Sequence, residues 1–231
     1  MLKPWLTTRW CLPPQGNAAF VCQMEDVLDV CHRPYDPRFP QVCLDETSKQ
    51  RIGETRAPLP PAPGQPARED YEDVRHGVAN LFLVCEPLRG WRHVTVTDQR
   101  TAVDFAHVIR ELVDVHYPQA ERIVLVLDNL NTHTPAALYQ AFPPAEAKRL
   151  ADKLEWHYTP KHGSWLDMAA IELSVLSRQY LDPRIPDKAT LNGGIALWQT
   201  HRNRVGTGVK WRFTTADARI TLHRLYPAIL P

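Results

Sequence analysis

The sequence predicts an α/β protein with a mixed β-sheet flanked by helices. In the second half of the chain, short apolar runs typical of buried strands alternate with segments of helical periodicity, which is the pattern of a layered α/β sheet. A turn signal at Leu88-Arg89-Gly90 joins two further strand-like runs into a hairpin, so part of the sheet is antiparallel. With 231 residues and 44% hydrophobic residues, the chain can form one large domain or two small ones.

The first half is predicted to contain one helix and three strands. Asn17 can cap a helix over 17–32, in which apolar residues recur at helical spacing. The strands are predicted at 41–45, 79–86 and 91–97. Residues 57–66 contain five prolines, which excludes a helix or a central strand there. We expect a surface loop, and a proline motif that binds a partner is the alternative.

The second half alternates helices and strands. Helices are predicted at about 101–116, 135–141, 144–154, 167–180, 188–204 and 215–225, and strands at 122–128 and 155–159, with a strand-like stretch at 210–213. Gly193 and Gly194 weaken the fifth of these helices. The resulting order fits a ribonuclease-H-like arrangement, in which the strands at 41–45 and 122–128 are adjacent and parallel.

Two acidic residues end these two strands. Asp45 follows Val42-Cys43-Leu44, and Asp128 follows the apolar run at 123–127. Ligands of such sheets collect at the carboxyl ends of the strands, where both aspartates are expected. Neighbouring carboxylates repel each other unless a cation joins them, and Mg²⁺ prefers oxygen ligands. The pattern therefore predicts a divalent metal site and phosphoryl-transfer chemistry on nucleic acid.

Composition adds weaker constraints. The net charge of +1 gives no overall basic field, but six basic residues against one acid occur between 201 and 224. That run is either a solvated helical surface or a surface that faces DNA. None of the five cysteines lies in a C-x-x-C pair, and their odd number without a signal-like N-terminus favours a reducing, cytoplasmic setting. No apolar stretch is long enough to cross a membrane.

Four long motifs resemble a known family. They are LDETSKQ at 44–50, GWRHVTVTDQRTAVDFAHVI at 90–109, VLDNLNTHTPAALYQAF at 126–142 and YTPKHGSWLDMAAIELSVLSRQYLDPRIPD at 158–187, and WRFTTADARITLHRLYP at 211–227 fits the same pattern. Together they resemble bacterial insertion-sequence transposases of the group named after insertion sequence six-thirty, which is related to mariner transposases. The resemblance covers essentially the whole chain.

This resemblance implies a DDE-type endonuclease and strand-transferase domain that uses Mg²⁺ or Mn²⁺. Asp45 and Asp128 match the first two metal-binding acids of the family. The implied partner is DNA, namely the transposon ends and a target site with a TA dinucleotide, and the implied assembly is a homodimer. The family's third acid is the Glu of a pattern like SWLNxxE, and alignment places Ala170 at that position.

Asp167 and Glu172 are the candidates for a third carboxylate. At about 100° per residue, Glu172 points about 200° away from position 170, whereas Asp167 lies within about 60° of it. Asp167 is therefore the better geometric substitute, at the N-terminus of the predicted helix. Among the acids near the site, Glu46 is expected to support a ligand or to lie at the surface.

A polar and aromatic loop is expected beside this site. Lys161 and His162 suit a DNA phosphate, and Trp165 either stacks on a base or packs in the core beneath the loop. Asn129 and His133 either orient a ligand or contact phosphate, and the alternative for Asn129 is to cap the strand end.

The predicted domain organisation has three parts. Residues 1–40 form a linker and helical segment after a helix-turn-helix region that the sequence lacks, residues 41–185 the catalytic domain, and residues 186–231 a basic helical extension packed on it. Three functions remain open: a working transposase catalytic domain, a non-catalytic remnant that binds DNA or assembles with an intact transposase, and a stand-alone structure-selective nuclease.

Overall fold

A five-stranded mixed sheet forms the centre of the molecule. The computed structural model describes residues 12–13 and 15–227. Residues 1–11, which include Cys11, residue 14 and residues 228–231 lie outside the described part of the predicted terminal segments. The strands are β1 (Gln41–Glu54), β2 (Asp73–Glu86), β3 (Trp91–Thr97), β4 (Ile123–Leu127) and β5 (Leu154–Tyr158). Their order in the sheet is β3-β2-β1-β4-β5. The first three strands are antiparallel, and β4 and β5 are parallel to β1, so the predicted mixed α/β sheet is confirmed.

Helices cover both faces of this sheet. They are α1 (Ala18–Cys31), α2 (Ala102–Glu111), α3 (Pro135–Ala141), α4 (Pro144–Asp152), α5 (Met168–Leu176), α6 (Lys188–Val205) and α7 (Thr215–Thr221). The ends of α2 and α5 widen into π-helical turns, Leu112–His116 and Ser177–Leu181. None of the described helices is long and apolar enough to cross a membrane.

The alternation of side chains along the strands divides the core into two. In β1, Val42 and Leu44 pack with α2, α3 and α4 on one face, and Cys43 packs with α1, α5, α6 and α7 on the other. Leu191 and Trp198 of α6 belong to this second core. Within the predicted C-terminal extension, α6 packs on β3, whereas α7 packs on α1.

Strand β1 is much longer than predicted, because it continues nine residues past Asp45. Its second half, Glu46 to Glu54, pairs with β2 alone and lacks the alternation of a half-buried strand. Backbone pairing within a long hairpin therefore forms this part of the strand, which hydrophobic patterning could not reveal. The proline segment lies in the loop of this hairpin and carries the isolated bridges Leu59–Arg68 and Ala62–Gln65.

The predicted strand at 210–213 is wrong. This stretch is extended but has no strand partner among the described residues. Its aromatic residues instead pack on Trp165, in the segment after β5. The rings of Trp165 and Trp211 stack with centroids 6.4 Å apart, and Phe213 contacts the Trp165 ring edge-on. The alternation of aromatic residues reflects loop packing and not sheet pairing.

The two glycines in α6 differ in their surroundings, and we expect their substitution by alanine to have opposite effects on the stability of the fold. A Cβ at Gly193 would meet no described atom within 4 Å, so Gly193→Ala should stabilise the fold by about 0.5–1 kcal/mol through helix propensity. A Cβ at Gly194 would lie 1.9 Å from the Tyr180 ring, whose hydroxyl donates a 2.7 Å hydrogen bond to the Thr190 carbonyl. Gly194→Ala should therefore destabilise by about 1–3 kcal/mol. Urea denaturation of both variants tests this, and equal shifts in the same direction would contradict it.

Candidate active site

Asp45 and Asp128 stand side by side where the parallel pairing of two strands ends. The last paired residues of β1 and β4 are Leu44 and Leu127, and the two aspartates follow them directly. Adjacent strands lie about 4.8 Å apart, so this register places the two carboxyl groups at one sheet edge. The aspartates interact, since the charge of Asp128 contributes to raising the pKa of Asp45.

Asp167 approaches this edge from the start of α5. Its side chain caps that helix by accepting a 2.8 Å hydrogen bond from the Ala169 N–H. The residue is only 1% exposed, and its Oδ2 is buried with no hydrogen-bond partner among the described residues. Burial raises the pKa of Asp167 well above its ordinary value, and the charges of Asp45 and Asp128 raise it further. The structure thus brings three aspartates close enough to repel one another.

Burial also controls the protonation of Asp45. Burial, together with the charges of Glu46 and Asp128, raises the pKa of Asp45 to about 6, although a hydrogen bond from the Glu46 N–H opposes the shift. Asp45 and Asp167 therefore both ionise less readily than an ordinary aspartate in the absence of a cation.

His133 links two acids beside this cluster. Its Nδ1 lies 2.5 Å from Asp128 Oδ1 and its Nε2 lies 3.1 Å from Glu46 Oε2. Burial alone would lower the pKa of His133, but these two carboxylates outweigh it and raise the pKa to about 9. Arg100 lies 3.8 Å from the other oxygen of Glu46. At neutral pH, a buried imidazolium therefore holds Asp128 in place, and Glu46 supports that imidazolium.

The predicted DNA-contact residues occupy different environments. Lys161 and His162 are exposed on the loop after β5. Trp165 is half-buried against Trp211, which corresponds to core packing and not to base stacking. His133 is only 1% exposed and pairs with Asp128 and Glu46. Of its two predicted roles, these contacts favour orienting a ligand over contacting a phosphate.

Glu172 lies in a buried ion-pair cluster. Arg92 Nε is 3.0 Å from Glu172 Oε2, and Arg202 Nη2 is 3.0 Å from Oε1. The carboxylate is 3% exposed and neutralised by two guanidinium groups, one from β3 and one from α6. These contacts join β3, α5 and α6 and occupy both oxygens of the carboxylate, so Glu172 has a structural role in place of the predicted catalytic one.

Ala170 shares a pocket with Asp167. A pocket of about 310 Å³ is lined by these two residues together with Trp165 and Ser174. The position aligned with the family's third acid and the substitute acid are thus neighbours on one surface, as their three-residue spacing predicts.

By its donor chemistry, the acid cluster suits a divalent cation. Its donors are carboxylate oxygens, which suit Mg²⁺ and Mn²⁺, and the unpaired buried Oδ2 of Asp167 is a polar atom that a cation would satisfy. Burial and, to a smaller extent, mutual repulsion raise the pKa values of Asp45 and Asp167, and a cation bound between them would favour their charged forms. Sequence patterns did not predict that Glu46 and Arg100 act together in support of His133, because the two residues are 54 positions apart and no local motif connects them.

We expect Asp167→Asn to stabilise the metal-free protein at pH 7. An unfolded aspartate titrates near about 3.9. Since the folded pKa of Asp167 is higher, stability falls as the pH rises from that value through the folded pKa. Asparagine does not titrate and can still cap α5. The urea midpoints of Asp167→Asn and of the unsubstituted protein should therefore differ more at pH 7 than at pH 4.

Asp187→Asn is the matched control for this measurement. Asp187 caps α6 through Thr190, but it is exposed and its hydrogen bonds lower its pKa. An aspartate with a lowered pKa stabilises the fold above its unfolded pKa, so Asp187→Asn should leave stability at pH 7 unchanged or reduced. If both variants shift the urea midpoint alike, burial of Asp167 is not the cause.

Comparisons with known proteins agree with this geometry. The model of the DDE superfamily endonuclease family matches residues 40–192. No curated protein matches the sequence. Three solved structures share the fold at low identity: the Mos1 mariner paired-end complex with Mn (17% identity, TM-score 0.51), the Mos1 transposase paired-end complex with left transposon end (16%, 0.53) and the mariner Mos1 paired-end complex with Mg (16%, 0.53).

These alignments cover 90%, 90% and 99% of the present chain, which spans 63%, 63% and 69% of those chains. They show that the fold is the predicted ribonuclease-H-like α/β fold. The family match covers more than half of the sequence and includes Asp45, Asp128 and Asp167. The chain therefore belongs to the DDE superfamily endonuclease family.

Proposed function

We propose that this chain is the catalytic domain of a transposase, which cleaves DNA strands and transfers them to a target in a metal-dependent reaction. The observation that supports this best is the convergence of Asp45, Asp128 and Asp167 at one edge of the sheet. Asp167 takes the part of the third acid, from the helix that in the family supplies a glutamate. Mos1 structures with Mn and Mg in paired-end complexes support the choice of a divalent metal and of DNA as the partner.

In the proposed reaction, the three aspartates would hold divalent ions, which when bound would lower the pKa of a water or of a 3′-hydroxyl and would stabilise the leaving oxygen. The chain's own residues orient the metal-binding carboxylates and balance their charge. His133 holds one oxygen of Asp128 and leaves its second oxygen for the metal. Glu46 and Arg100 fix His133 in turn. Position and charge, and not a covalent intermediate, are what the protein contributes.

DNA would approach this edge across the loop after β5. Lys161 and His162 are exposed there and suit phosphate oxygens. In the basic run between 201 and 224, Arg202 pairs with Glu172 and Arg219 pairs with Glu25. Exposed basic residues from the same run, Arg204 and Lys210 among them, are candidates for further phosphate contacts.

Finer assignments belong to the same proposal. Membership of the insertion-sequence-six-thirty group, a bacterial origin, a homodimer and a TA target rest on the motif resemblance. A cytoplasmic location rests on the odd number of cysteines and on the lack of a signal-like N-terminus. Because the chain spans about two thirds of the Mos1 chains, the activity of a whole transposase is likewise proposed by resemblance.

A non-catalytic transposase remnant that binds DNA is the second candidate. The observation that favours it is Ala170 at the position of the family's third acid. Asp167 has a shorter side chain than glutamate and is committed to capping α5, which limits how far it can reach. The two candidates differ in one measurable property, metal-dependent strand cleavage.

We expect the protein to nick supercoiled DNA in Mn²⁺, and Ala170→Glu to raise the rate at least about tenfold, equivalent to roughly 1.4 kcal/mol of transition-state stabilisation. The added carboxylate would enter the pocket that Asp167 lines. Leu197→Glu is the control, because Leu197 is exposed on α6 and does not line this pocket. Rates of nicking under single-turnover conditions measure the effect.

Asp45→Asn and Asp167→Asn should each reduce nicking at least about 100-fold, since each removes a charged metal ligand. Full activity of Asp167→Asn would exclude Asp167 as the third acid. DNA binding in a gel-shift assay without cleavage, even after Ala170→Glu, would favour the non-catalytic remnant. Cleavage without preference for transposon-end DNA would favour a structure-selective nuclease.

A further inference from the structure

A second group of metal-ligand side chains lies on β3 and the end of α2, apart from the acid cluster. It consists of His93 on β3, Glu111 at the last residue of α2, and His116 at the end of the following π-helical turn. One ligand atom of each residue lies within 4.8 Å of the others. None of the three belongs to the aspartate cluster or to its supporting residues.

The π-helical turn is what brings Glu111 and His116 together. In a regular α-helix, positions five apart point about 140° away from each other. Here the Tyr117 N–H donates a 3.0 Å hydrogen bond to the Leu112 carbonyl, five residues earlier, which widens the turn. His116 therefore faces the same side as Glu111, towards the edge strand β3.

The distances approach those of a tetrahedral zinc site. Glu111 Oε1 lies 3.4 Å from His93 Nε2 and 3.8 Å from His116 Nε2. Tetrahedral zinc with bonds of about 2.0–2.1 Å separates its ligand atoms by roughly 3.3 Å. The two Glu111–histidine distances are thus within about 0.5 Å of that value, and the ligand atoms of the two histidines lie within 4.8 Å of each other.

An unpaired atom and several orienting contacts mark this as a ligand site. His116 Nε2 is buried and has no hydrogen-bond partner within the described ranges 12–13 and 15–227. Thr95 donates a 3.2 Å hydrogen bond to Glu111 Oε2, which leaves Oε1 facing the two imidazoles. The Trp91 ring stacks with His93 and packs at 4.9 Å from the His116 ring. These contacts fix the ligands as supporting residues do in metal sites.

The protonation state also suits a metal. Burial lowers the pKa of His93, and burial together with the neighbouring His93 lowers that of His116. Both imidazoles are therefore neutral at pH 7, the form that binds a metal. All three side chains remain partly exposed, so an ion can enter from solvent.

We propose that His93, Glu111 and His116 form a zinc site that ties the edge strand β3 to the end of α2. Two imidazole nitrogens and one carboxylate suit Zn²⁺, whereas Mg²⁺ prefers oxygen donors alone. The three ligands leave a fourth coordination position open to water. This site is independent of the proposed DNA chemistry and would persist if that proposal failed.

The test is calorimetric titration of the full chain with Zn²⁺ in excess Mg²⁺. The titration uses a parent protein that carries Asp45→Asn and Asp128→Asn, so that the acid cluster does not contribute. We expect one equivalent of Zn²⁺ to bind and to raise the melting temperature. Glu111→Gln and His116→Gln should each weaken that binding at least about 100-fold. His107→Gln is the matched control, because His107 is exposed on α2 outside the cluster.

Glu111→Gln keeps the shape of the side chain and an oxygen acceptor for Thr95, so it preserves the fold if His116→Gln does not. Circular dichroism of each metal-free variant checks this. Zinc binding that is unchanged in Glu111→Gln overturns the proposal. So does a parent protein that takes up no stoichiometric Zn²⁺, or an affinity loss of the same size in His107→Gln.

Discussion

The parallel pairing of β1 with β4 is the constraint on which the site depends. Because Leu44 and Leu127 are the last paired residues, the register of a few backbone hydrogen bonds places Asp45 and Asp128 next to each other. A one-residue slip would turn Asp45 to the opposite face of the sheet. The two hydrophobic cores hold that register from both sides, since Leu44 packs on one face and Cys43 on the other.

The third acid, Asp167, depends on α5, and its burial reduces the stability of the metal-free fold. α5 packs across β1 and β2, and its first turn presents Asp167 to the two strand ends. Burial of a carboxyl group with one unpaired oxygen opposes folding in the absence of a cation. The buried pairing of Glu172 with Arg92 and Arg202 anchors the same helix to β3 and α6. The neighbouring acids of one helix thus have opposite roles: one is unpaired at the site and the other is neutralised in the core.

The two faces of the sheet contribute different side chains to the proposed sites. Asp167 reaches the aspartates from the face that α5 covers, whereas His133 packs against Phe105 on the α2 face and supports Asp128 from there. The proposed zinc ligands lie on the α2 face as well, but at the outermost strand: His93 belongs to β3, and Glu111 and His116 belong to the end of α2 and the turn that follows it. A metal there would stabilise the edge of the sheet without contact with the proposed catalytic acids, and this separation makes the two proposals independently testable.

The sequence by itself determined the order of elements, the strand-end aspartates and the place of Asp167 at a helix N-terminus. Apolar runs, helical periodicity and cap residues are local signals, and a sequence contains them in full. Tertiary structure decided the extension of β1, the burial of His133 between Asp128 and Glu46, and the ion pairs of Glu172. It also decided the meeting of His93, Glu111 and His116, which needs a π-helical turn and a strand 18 residues away from Glu111. Contacts between residues distant in sequence depend on how elements pack, and no local pattern encodes them.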